Sequence, residues 1–97
     1  MNWQLIVRPE ARAELSNAID WYQMQRPGLG DRFLESFLAS VNGLLEKPFR
    51  FQRVDEDIRR VRLRSFPYSI LYFVEGDSIV VVACAHASRR PGYWRTP

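Results

Sequence analysis

The sequence predicts an α+β domain in two layers: an N-terminal strand, then an antiparallel helical hairpin packed on a small antiparallel β-sheet. Three observations predict it. Two segments, 9–25 and about 30–46, repeat apolar residues at helical spacing and are separated only by Arg26-Pro27-Gly28-Leu29-Gly30. Three strand-like runs then follow one another between Ile58 and Ala85, joined by turns too short for anything but antiparallel neighbours. The last of these runs, 78–85, is apolar at every position after Ser78, the pattern of a strand covered on both faces and placed inside a sheet.

Taken in order, Gln4-Leu5-Ile6-Val7 reads as the first strand. Pro9 suits the first turn of a helix and Glu10 adds favourable charge there. Ala11, Leu15, Ala18, Ile19 and Tyr22 form one apolar stripe, and Trp21 stands off it, either facing a partner or bordering the stripe. Asp31 is a candidate cap for the second helix, whose stripe is Phe33, Leu34, Phe37, Leu38, Val41, Leu44 and Leu45. Lys47 suits its end and Pro48 stops it. Residues 49–54 (FRFQRV) are a weak strand candidate, and Asp55-Glu56-Asp57 an acidic turn able to screen neighbouring arginines. The run 58–66 alternates, with Arg60, Arg62 and Arg64 on one face and Val61 and Leu63 on the other. Such a face must meet water, carboxylates or phosphate, because unpaired buried charge is too costly. Residues 68–74 (YSILYFV) form the next strand, and Glu75-Gly76-Asp77 the turn into 78–85.

Length and composition bound the function. The 97 residues make one domain, 1–97, and 46% hydrophobic content supports a packed core. No run reaches the ~18 apolar residues of a membrane span. The chain starts at Met1 without a charged segment leading into an apolar one, so no secretory leader is expected. The single Cys84 excludes an internal disulfide and any multi-cysteine zinc site. A cytoplasmic protein without metal or cofactor is the simple expectation. The net charge of +3 is divided unevenly, −2 over residues 1–46 and +5 over 47–97. Thirteen of the 14 cations are Arg, a bias that fits a carboxylate- or phosphate-binding surface and fits a GC-rich genome equally well.

No nucleotide-binding loop and no HExxH metal motif is present. Cys84 lies in an apolar strand and reads as a buried structural thiol. The constellation with chemistry in it is basic: Arg60, Arg62 and Arg64, then His86, Arg89 and Arg90, with Tyr93 and Trp94 interleaved. Arginines among aromatics hold phosphates and stack bases. His86 is either an acid–base group for phosphodiester cleavage or a histidine bonded to a nearby carbonyl. Tyr93 and Trp94 either grip a target or pack on the sheet edge.

The segments WYQMQRPGLGDRFL, EKPFRF and IRRVRLRSFPYSILYFVEGDSIVVVACAH, with the ending SRRPGYW, resemble the RelE/ParE superfamily of bacterial toxins over nearly the whole chain. The resemblance implies the toxin half of a type II toxin–antitoxin module, of the kind associated with plasmid stabilisation. It also implies a hetero-oligomer with a cognate antitoxin that has an acidic, partly disordered tail. RelE-like members cleave mRNA on the ribosome, whereas ParE-like members bind DNA gyrase. The YoeB-type nucleases place an arginine three residues before a strand tyrosine; counting back from Tyr72, that position is Ser69. FPYSILYFVEGD, and His86 with Arg89 and Arg90, look closer to ParE-like members. The resemblance therefore favours gyrase, with Arg89, Arg90, Tyr93 and Trp94 as target-binding residues and Trp21, Arg60 and Arg62 as antitoxin-binding residues. It leaves two alternatives. One is a ribosome-dependent endoribonuclease using His86, Arg60, Arg62 and Arg64. The other is a non-toxic relic that only binds antitoxin.

Overall fold

The computed structural model describes residues 2–95. Its elements are β1 (Gln4–Val7), α1 (Pro9–Gln25), α2 (Leu29–Glu46), β2 (Arg53–Asp55), β3 (Ile58–Arg62), β4 (Tyr68–Glu75) and β5 (Ser78–His86), followed by one 3₁₀ turn, Tyr93–Arg95. The sheet order is β1-β5-β4-β3-β2. The α+β fold predicted above is therefore the observed one, and β5 is interior, with strands on both sides. Every neighbouring pair is antiparallel except β1 with β5, which is parallel from Gln4↔Ser78 to Val7↔Val81. Short turns dictate the direction of β3, β4 and β5, but β1 leads into a helix, so no turn constrains its partner.

The helices cover one face of the sheet. Their contribution to the main core is Ala11, Ala18, Phe33, Phe37, Val41 and Leu44, against Val61, Leu63, Ile70, Tyr72, Ile79, Val81 and Cys84 from the strands and the β3–β4 connection. Tyr22 stacks on Phe33 at 5.3 Å between ring centroids, and Phe66 and Tyr68 meet Phe33 edge-on at 5.0 and 4.9 Å. The second face carries a smaller cluster, Leu71, Val80, Val82 and Ala83, covered in part by Tyr93 and Trp94. A bulge couples the two faces. Leu71 pairs with Ala83 but Tyr72 with Val81, so Val82 is the extra residue in β5. Val82 and Ala83 consequently share one face, while Val81 and Cys84 share the other.

Three boundaries differ from expectation. The second helix begins at Leu29, with Gly28 as its cap at φ 92°, so Asp31 lies in the first turn and caps nothing. The Gln23 side chain caps instead: its Oε1 accepts the N–H groups of Gly28 and Gly30 at 3.2 and 3.1 Å. Residues 49–52 are not strand. The Arg59 guanidinium holds this stretch by donating to the carbonyls of Phe49 and Phe51, and the Tyr72 hydroxyl donates to the Pro48 carbonyl at 2.6 Å. Finally, β3 stops at Arg62. Ser65 takes a positive φ of 71° and Pro67 follows, so Arg64 belongs to a turn fastened to α2 by the Ser36 hydroxyl.

Gly30 sits where the second helix packs directly on the backbone of the first. A Cβ there would sit 2.6 Å from the Ile19 carbonyl oxygen and 2.9 Å from Gln23 Oε1. Gly30→Ala is expected to destabilise the fold by about 1–3 kcal/mol. Gly43→Ala provides the contrast: its Cβ would meet nothing nearer than Phe51 Cζ at 4.0 Å, and the same change should gain up to about 1 kcal/mol of helix propensity. Urea denaturation of both variants checks the opposite signs.

Candidate functional site

The site grows from the end of β5. β1 pairs with β5 only as far as Val81, and Arg8 N–H closes the ladder on the Val81 carbonyl. Past that point Glu14 of α1 takes the missing strand's place: its Oε1 accepts the Cys84 N–H at 2.9 Å. Its Oε2 accepts the Tyr93 hydroxyl proton, and the Arg89 guanidinium lies 3.8 Å away. The same guanidinium stands over the Tyr93 ring, 3.8 Å from its centroid. The tail is pinned a second time by Arg95, whose Nε donates to Asp55 Oδ2 at 2.8 Å. The acidic turn thus engages a tail arginine; none of its carboxylates is ion-paired with Arg60, Arg62 or Arg64 among the described residues.

These contacts have electrostatic consequences. Burial, then the Glu14 hydrogen bond and charge, push the Tyr93 phenol far above its ordinary range. Burial and then Glu14 push the Cys84 thiol up to about 12, which keeps it protonated and inert at neutral pH. His86 Nδ1 accepts the Ser88 N–H at 3.0 Å, with the Ser88 hydroxyl at 2.8 Å, so the proton of the neutral ring sits on Nε2. The histidine is therefore held by a backbone amide rather than bonded to a carbonyl. Its ring meets Tyr68 edge-on at 5.0 Å.

The expected basic constellation is divided. Arg60, Ser69, His86, Arg89, Arg90 and Trp94 line one cleft on the sheet face opposite the helices. Arg62 and Arg64 line a different groove of about 740 Å³ between α2 and the edge of β3, together with Arg32 and Arg50 over an apolar floor of Val61, Phe51 and Phe66. The physical reason is the early end of β3 and the shortness of β2. Beyond Arg60 no strand among the described residues covers this edge, and Arg64 has left the strand. Tyr93 and Trp94 are half-buried on the second face of the sheet, while Arg89 and Arg90 are exposed. Trp21 is 57% exposed on α1, edge-on to Tyr22.

Glu14 is the residue that the sequence reading missed. The signal was present: it lies three residues after Ala11 and four before Ala18, on the side of α1 that is buried. Among the described residues no group of His, Cys, Asp and Glu is arranged to hold a metal ion. No helix among them is long and apolar enough to cross a membrane.

Comparison with known proteins places this architecture. A structure titled "Chromosomal ParDE TA system from P. aeruginosa" superposes with a TM-score of 0.77 at 18% identity, covering 88% of this chain and 96% of that one. At that identity the likeness shows the fold. No curated protein matches in sequence. The family model described as "ParE toxin of type II toxin-antitoxin system, parDE" matches residues 5–91, which spans both helices, all five strands but for the start of β1, and the beginning of the tail. The chain therefore belongs to the ParE toxin family of type II toxin–antitoxin systems.

Proposed function

We propose that this ParE-type toxin arrests growth by binding DNA gyrase through its C-terminal segment and that a cognate antitoxin neutralises it. The observation that carries the target reading is the tail itself. Arg89 and Arg90 stand exposed beside Trp94 on a segment held to the body by Glu14 and Asp55. Cations and an aromatic edge on a fixed support suit a grip on a protein or nucleic-acid surface. The groove between α2 and β3 suits the antitoxin. Its floor is apolar, its rim holds four arginines, and no Asp or Glu lines it. An acidic segment that folds on binding would lay apolar side chains on that floor and carboxylates on Arg62 and Arg64, giving a hetero-oligomer. Trp21 offers a further apolar contact on the hairpin; Arg60 sits in the other cleft and falls to the target side.

A nuclease reading is favoured by one observation, the shared cleft of Arg60, His86 and Arg90. His86→Gln separates the readings. General acid–base catalysis contributes about 10²–10⁴-fold, so a nuclease would lose its effect on growth, whereas a grip would be weakened only a few-fold. The expected result is partial retention of growth arrest. Inhibition of gyrase supercoiling by the purified wild-type protein, without cuts at ribosomal A-site codons in primer extension, completes the test. Cuts in mRNA with supercoiling untouched would reverse the assignment. Expression without antitoxin that leaves growth unaffected would make the chain a binding relic.

A further inference from the structure

We propose that Glu14 is a positioning residue for the toxin's tail: it locks the segment 86–95 onto the body in the conformation that engages the target. The inference rests on the reading that the tail acts on the target, and it adds which residue of the body sets the tail's geometry. Among the described residues, Glu14 is the one side chain that bonds both β5 and the tail from α1. One carboxylate oxygen takes the Cys84 N–H that β1 is too short to reach, and the other takes the Tyr93 hydroxyl. The first bond fixes the carboxylate on the rigid sheet, so the second fixes Tyr93 relative to the sheet and not merely to the helix. Charge then orders Arg89. Its guanidinium lies 3.8 Å from Glu14 and 3.8 Å from the Tyr93 ring centroid, which leaves Arg90 and Trp94 to follow on a segment already set. The Glu14 side chain is 21% exposed and that of Arg89 53%, so the acid is the anchored member and the base the presented one. A carboxylate is required because the site offers two N–H or O–H donors and one cation, and an ionised acid is the side chain that accepts from all of them.

Glu14→Gln and Tyr93→Phe test this, each read by amide hydrogen exchange, thermal midpoint and growth arrest on induction. Glutamine keeps an acceptor for Cys84 but loses the charge facing Arg89; phenylalanine keeps the packed ring but loses the bond to Glu14. Exchange in 89–95 should rise about tenfold in each variant, the loss expected of one hydrogen bond to a charged group. Exchange in α2 and β4 should stay put, and growth arrest should weaken in step with the tail's release. Because both variants act on the same Glu14–Tyr93–Arg89 contact, the double variant should do less than the sum of the two single ones. Exchange that rises uniformly with a lowered thermal midpoint in both variants would reduce Glu14 to a stabilising residue and overturn the proposal. So would a tail that stays protected, or a released tail with full growth arrest. The growth and exchange results stand whatever the target is, so failure of the wild type to inhibit gyrase would fall on the target assignment alone.

Discussion

Reversing charge at both Arg62 and Arg64 is expected to weaken the complex with the antitoxin by on the order of 100-fold or more. Truncating one partner of a buried, hydrogen-bonded charge pair costs about 2–5 kcal/mol, and a reversal adds repulsion to that loss. Both side chains are exposed in the free toxin, at a sheet edge that β2 leaves uncovered. They meet an apolar floor, so a bound segment would bury them against low-dielectric surroundings. The loss should appear chiefly as faster dissociation, since a pair desolvated in the complex governs lifetime more than encounter. Arg60→Glu supplies the internal control. Arg60 stands two residues before Arg62 on the same face of the strand but shares its cleft with His86 and Arg90, so its reversal should cost at least tenfold less affinity. Titration of purified antitoxin against the three variants measures this. Equal losses at Arg60 and Arg62, or an unchanged double variant, would move the antitoxin out of the α2–β3 groove.

That separation of Arg60 from its neighbours marks where reading the sequence stops being sufficient. Local chemistry carried the helices well. Pro9 and Pro48 bracket them, and the apolar stripes name most of the residues that the sheet buries. The apolar run of β5 correctly implied cover on both faces. Its very uniformity hid the bulge, because a strand apolar at every position shows no break in alternation when Val82 is added. The end of β3 depends on non-local facts. The Arg–Val–Arg–Leu–Arg alternation continues past Arg62, but β2 does not extend to support it and Ser65 turns the chain. The tail was undetermined for the same reason. Tyr93 and Trp94 pack in part against the sheet, while Arg89 and Arg90 are exposed. Packing on the sheet face, not its edge, follows from the apolar cluster of Leu71, Val80, Val82 and Ala83, which α1 and α2 leave without cover on that side and the tail helps to bury.

The fold should lose several kcal/mol of stability between about pH 9 and 12. Tyr72 is fully buried, and burial raises its phenol from 10.0 to about 12 even though Arg59 and Arg50 pull the other way. Cys84, 2% exposed, is raised from 9.0 to about 12 by burial and by Glu14. Tyr22 and Tyr68 are also raised by burial, and Tyr93 strongly so. In every case the folded state holds its proton more tightly than the unfolded chain does. Unfolding therefore releases protons once the pH exceeds the unfolded value, and stability falls as pH rises. The contribution is complete below pH 9, begins to fade as unfolded thiols ionise, and steepens above pH 10 when the phenols join. Each tenfold difference in acidity is worth about 1.4 kcal/mol, so Tyr72 and Cys84 together withdraw on the order of 5 kcal/mol by pH 12. Domains of this size hold roughly 5–15 kcal/mol in all. Chemical denaturation at half-unit steps from pH 7 to 12 should show a flat region and then this fall. Cys84→Ala should delay its onset to about pH 10. Tyr72→Phe should start lower, because the Pro48 carbonyl loses its donor at about 1–3 kcal/mol, yet decline less steeply above pH 10. A stability that stays level to pH 12 in the wild type would mean that water reaches these groups in the native state.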